Sequence, residues 1–226
     1  MFNLFKKKEP EKTVNPFIEL RSHYMGNVQL KDWPKEDLTT HPWSLFVEAR
    51  KQLLAKNNTK AEKIYRQIVE TPDLEPRHYM QAWMFLRYFL KVQPSPEIAK
   101  IVYAVMVEVS TETGVMSVVA YTDHKARSLH SAGGGVVWEN PNNALNEQTD
   151  ALIKTAEAAL EAIPLVVVDV LPNPPKQKDH VLISIATPSG IYHGLGTGEF
   201  MWNDPHAGPI LNAGGNLLKA LEGLKK

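Results

Sequence analysis

The chain has 226 residues, 43% hydrophobic and 22% charged, with 25 basic and 25 acidic side chains and no cysteine. Such a chain folds and is long enough for a sizeable core; the missing cysteine excludes a disulfide framework, a thiolate metal site and a cysteine nucleophile. The charge is balanced but unevenly placed: residues 1–100 hold 17 Lys and Arg against 12 Asp and Glu, residues 101–226 hold 8 against 13, so the halves are set to attract each other.

No stretch reaches the roughly 20 apolar residues of a membrane helix. In residues 1–8 (MFNLFKKK) the charge follows the apolar residues, the reverse of a signal peptide, so a cytoplasmic protein with no integral membrane segment is expected. Lys6, Lys7 and Lys8 behind Phe2, Leu4 and Phe5 are too short a cluster for firm binding to an anionic membrane. No basic stripe with interleaved aromatics is present, and no nucleic-acid partner is expected.

Residues 1–41 mix Pro10, Pro16, Gly26 and Pro34 with charges of both signs, which predicts an irregular N-terminal arm with room for a short turn of helix. From Pro42 onward Leu45, Phe46, Ala49, Leu53 and Leu54 recur at helical spacing, a first helix ending at Asn57-Asn58. Thr59 with Glu62 three residues on reads as a capping box opening a second helix to about residue 70, with Ala61, Ile64, Tyr65 and Ile68 in one stripe. Residues 77–91 predict a third helix, apolar almost all round and therefore buried. Region 42–93 resembles a tetratricopeptide repeat with its capping helix, Trp43, Ala61, Tyr65 and Pro72 falling near consensus places. A single copy makes no solenoid, so these helices are expected to pack on the following domain.

Residues 93–96 mark the boundary, with a short helix predicted to about residue 101. The period then changes to two: 104–110, 115–122, 125–130 and 136–139 read as an antiparallel meander. A helix over 142–163 is expected to cover one sheet face. Residues 165–171, held between Pro164 and Pro172, form an edge strand or extended connector. Segments 181–186 and 191–195 flank Thr187-Pro188-Ser189-Gly190 as a second hairpin. A last helix, 208–224, carries Gly214 and Gly215 in its middle, for which close approach to the sheet is the expected compensation. The fold class is α+β: about three tetratricopeptide-like helices, then residues 94–226 as an antiparallel-sheet domain of order βββ(β)αββα.

Three chemistries can be weighed. Gly194, Gly196 and Gly198 are the cofactor-binding candidates, since glycine-rich loops cradle phosphates, but Glu199 stands where a dinucleotide fingerprint needs glycine and no Gly-Lys-Ser/Thr follows. His193, Glu199, Asp204 and His206, or Asp123, His124 and His130, offer metal-ligand chemistry at spacings that match no helical pair or facial triad; Asp123-His124 better fits a hairpin turn. Ser131 and Ser189 lie outside a G-x-S-x-G motif, and Trp83, Trp138 and Trp202 read as core. No metal and no cofactor are expected.

The strings Val107-Glu108-Val109, Ala120-Tyr121-Thr122-Asp123, Val137-Trp138-Glu139, Thr187-Pro188-Ser189-Gly190 and Ala207-Gly208-Pro209-Ile210 resemble a family of uncharacterised bacterial proteins in which a short helical region precedes the same hairpins. The resemblance covers about residues 42–222 and implies a bacterial origin and a shared fold, with no activity, substrate or catalytic residue. By topology alone the order also resembles roadblock/longin-like and profilin-like sandwiches. The leading expectation is a non-enzymatic protein-interaction or scaffold module. The alternatives are a small hydrolase or ligand-binding enzyme using segment 194–198 with His193, Asp204 and His206 as catalytic candidates, and a homo-oligomer built through an edge strand.

Overall fold

The computed structural model describes residues 16–224; the Phe2 to Lys8 cluster lies outside them. Strands β1 (Ala104–Thr111), β2 (Gly114–Tyr121), β3 (Ala126–His130), β4 (Gly135–Trp138), β5 (Val166–Val168), β6 (His180–Thr187) and β7 (Gly190–Thr197) form one antiparallel sheet in the order β4-β3-β2-β1-β6-β7-β5. The meander and second hairpin thus form as expected, joined through β1 and β6, with Val107 opposite Val118 and Ile183. These two central strands are buried on both faces because both faces are covered, with Glu108 and Ser184 as polar residues among mostly apolar side chains.

On one face lie α5 (Asn146–Ala162) and α7 (Ala207–Gly223). Their stripes, including Leu152, Ala156 and Leu160 of α5 and Ile210, Leu217 and Leu221 of α7, pack on Val105, Val107, Val118, Ala120, Ile183 and Ile185. A Cβ on Gly214 would lie 3.0 Å from Val107 Cγ2, so the expected close approach is present there. Gly215 meets nothing within 4 Å and has no such compensation.

The N-terminal half covers the other face. Helices α1 (Pro16–Tyr24), α2 (Trp43–Leu54), α3 (Asn58–Glu70) and α4 (Pro76–Leu90) precede the sheet, and α2 to α4 share a core of Phe46, Ala61, Tyr65, Ile68, Phe85 and Leu86. As its composition predicts, α4 is the buried one; its Met80 joins Met25, Met106, Val119 and Ile191 on the sheet. Segment 16–41 is more ordered than an irregular arm: α1 is nine residues long and packs Phe17 on Val115 and Leu129, and Met25, Val28 and Trp33 are buried.

Charge joins the halves as well as apolar contact. Arg21 of α1 is buried against Glu108 of β1, its Nε donating to Oε1 at 2.6 Å and its Nη2 to Oε2. Ser117 Oγ donates to the same Oε1 at 2.8 Å, and Arg21 Nη2 to the Pro172 carbonyl at 3.0 Å. Arg87 of α4 donates to Asp169 Oδ1 at 2.8 Å and to the Pro188 carbonyl. Both contacts pair an N-terminal cation with a C-terminal acid, the sense of the charge imbalance; Lys125 with Glu75, at 3.4 Å, runs the other way.

Three boundaries differ from expectation, each for a local reason. The second helix opens at Asn58, so Thr59 lies inside it, and Glu62 accepts from Arg66 Nε at 2.8 Å in place of a capping box. The short helix before residue 101 is two successive turns, Ile98 N–H to Ser95 and Ile101 N–H to Ile98. Helix α5 begins four residues late because Asn143 adopts φ 60°, which a right-handed helix does not allow, and the Asn142 Oδ1 accepts the Ala144 N–H in a turn ahead of it. Among the described residues no helix is long and apolar enough to cross a membrane.

Candidate functional site: the open edge and the cavity behind it

Strand β5 pairs with β7 over residues 166–168 against 191–193, and among the described residues no strand lies beside residues 194–197 of β7 on that side. Val166 lies opposite His193, so Val166 and Leu195 share one face of the edge and are 64% and 59% exposed. On the other face are Val167 and Phe200, the latter 66% exposed. Residues 165–168 read Leu-Val-Val-Val, without the charges that usually guard a sheet edge; the prolines at 164 and 172 only limit its length.

Behind this edge a short helix, α6 (Gly198–Asn203), crosses β7. Thr197 caps it, its Oγ1 accepting the Phe200 N–H at 3.4 Å, and Glu199 stands in its first turn. Met201 lies over Gly194 and Gly196; a Cβ on Gly196 would come within 3.1 Å of its sulfur. The glycine spacing of two, which reads as a phosphate cradle, here clears one face of a strand for a helix. Helix α6 ends at Asp204, whose Oδ1 accepts the N–H groups of His206 at 2.9 Å and Ala207 at 2.7 Å. Those two bonds hold its carboxyl below the usual range and satisfy first-turn donors of α7.

The end of α5, strands β6 and β7, α6 and the start of α7 border a partly open cavity of about 120 Å³. Ala159, Ile163, Ile183, Ile185, Met201 and Ile210 supply apolar walls, Phe200 also lines it, and Asp204 and His206 are its polar neighbours. Gly194 and His193 border it, but strand alternation sets the His193 side chain on the face opposite Gly194, beside Val166 and Ser184. There His193 Nδ1 and Ser184 Oγ are buried without hydrogen-bond partners among the described residues. Of the three catalytic candidates, then, Asp204 and His206 come together, His193 faces away, and the Asp204 carboxylate is engaged as a cap. The lining contains no hydroxyl, thiol or lysine, and its mostly apolar walls are suited to holding an apolar group.

The remaining candidates serve turns. His124 sits at φ 60° between β2 and β3, its Nδ1 3.3 Å from Asp150, and Asp123 pairs with Lys125 at 3.3 Å. His130 Nδ1 accepts the Ala132 N–H, and Ser131 Oγ the Val115 N–H. No three His, Asp or Glu side chains among the described residues converge as metal ligands do. Trp83 and Trp138 are buried, whereas Trp202, read as core, is exposed on α6 because its neighbour Met201 takes the inward position. Sequence reasoning missed α6 and with it Phe200; the Thr197 cap followed by an acidic residue is the signal that marks it. No family model, curated protein or solved structure matches the chain.

Proposed function

We propose that this protein is a non-enzymatic interaction module that binds an extended segment of a protein partner along the β5–β7 edge. The observation that carries this is the uncharged edge, unpaired among the described residues, with Val166 and Leu195 exposed on one face and Val167 and Phe200 on the other. A strand added there gains main-chain hydrogen bonds, and its alternating side chains meet apolar surface on both faces. The opposite edge, β4, has four residues and presents only Val137 as a large exposed apolar side chain. The helical half, tetratricopeptide-like in this reading, acts as the cover of the other sheet face, and the module works in the bacterial cytoplasm.

Selection of displayed peptides on the wild-type chain and on a Val166→Lys, Leu195→Lys variant tests the proposal. Both positions are exposed, so the variant keeps its stability to within about 0.5 kcal/mol. Peptides of alternating apolar pattern are expected to be enriched on the wild type and lost on the variant; equal retention by both refutes it. The same edge fits a second copy of the chain, and wild-type dimerisation abolished by the same pair of substitutions, read by light scattering, would make self-association the function of the edge.

A further inference from the structure

We infer that the cavity between α5, α6 and α7 is a binding site for a small amine with an aromatic or branched aliphatic body, the body filling the apolar walls and the ammonium group meeting Asp204. The inference rests on the cavity, which shares only Phe200 with the exposed apolar side chains of the proposed strand-binding edge. An apolar cavity of about 150 Å³ accepts benzene, so a volume of about 120 Å³ fits one ring or a short branched chain. The space is an apolar concavity bordered by five elements and partly open to solvent, which is the form of a small-molecule pocket.

The carboxylate decides the head group. A helix N-terminus usually favours an anion, but the first amides of α7 are already bonded to Asp204 Oδ1, and the negative charge of that group repels a second anion. Fatty acids, phosphates and other anions are therefore disfavoured, and a cation complements the site. The exposed ring of Phe200 lies against the bound body and, with the cation nearby, adds an aromatic face.

The test is titration with phenethylamine, phenylacetate and ethylbenzene, followed by the methyl NMR signals of Ile183, Ile185 and Ile210. Phenethylamine should shift them saturably, at least tenfold more tightly than phenylacetate. Asp204→Asn, whose amide oxygen can still cap α7, should weaken the amine at least fivefold and leave ethylbenzene unchanged. Ala159→Leu, which fills the cavity, should abolish both. Absence of a saturable shift with the amine, or equal affinity for amine and acid, overturns the inference. Should Ala159→Leu fail to fold, the Asp204→Asn comparison decides alone.

Discussion

Glu108 is fully buried in the central strand, and Arg21 and Ser117 supply its hydrogen bonds. Burying such a pair contributes little net stability, but removing one partner strands a charge in low dielectric. Arg21→Met is expected to destabilise the fold by about 3–5 kcal/mol in urea unfolding, and the double variant Arg21→Met, Glu108→Leu to recover most of it. A single variant as stable as wild type would show that the pair does not anchor α1. His78 is a second buried polar group, perpendicular to Trp43 at 4.8 Å and close to Trp33 and Phe46, with both ring nitrogens lacking hydrogen-bond partners among the described residues. Burial lowers its pKa from 6.5 to about 4, with Arg77 adding to the effect and Glu75 opposing it. The unfolded chain therefore binds more protons between those values, so this contribution is complete above pH 6.5, is lost as the pH falls towards 4, and then levels off. The loss approaches about 3 kcal/mol. Unfolding measured from pH 7 to pH 4 should show wild type losing more stability than His78→Phe; parallel curves would mean that the imidazole is not held neutral. Neither group was legible as such in the sequence: Arg21 falls between Phe17 of α1 and Met25 just beyond it, and its acidic partner lies 87 residues away.

At the scale of elements, patterns with many repeats were readable and single local bonds were not. Period-two segments placed six of the seven strands firmly, and the prolines around 165–171 limited the edge strand to three paired residues. Helix starts depended on which of two neighbouring polar residues capped, and there Asn142 and Thr59 misled, because each has an alternative partner or place that only the tertiary fold selects. The mid-helix glycines of α7 separate two effects that sequence treats alike. Gly215→Ala should raise stability by about 1 kcal/mol, since helix propensity acts alone at a site with nothing within 4 Å. Gly214→Ala gains the same propensity but pushes a methyl against Val107, so it should be less stable than Gly215→Ala. Equal thermal shifts for the two would contradict the close packing of α7 on β1. The cofactor candidates Gly194 and Gly196 fall under the same rule: their spacing was visible, but the Met201 side chain that fills the space came from an element the hydrophobic period did not mark.

The described residues form a sheet covered on both faces and open at an edge. The helical half uses its apolar surface, Arg21 and Arg87 on one face, while α5 and α7 take the other and α6 lies over the end of β7, which leaves the outer side of β5 and of residues 194–197 as an edge unpaired among the described residues. Charge asymmetry between the halves was evident from composition; which arginine meets which acid was not, since that depends on how the sheet orders its strands. The same holds for the cavity, whose walls come from segments 159–210 brought together by the β6–β7 hairpin. Backbone amide exchange at Leu195 and Thr197, with and without a peptide selected on the wild-type chain, tests the central claim most directly. Added-strand binding predicts at least tenfold slower exchange at these edge amides on saturation. Unchanged exchange there, with protection confined to α2, α3 and α4, would contradict it and place the binding surface on the helical half.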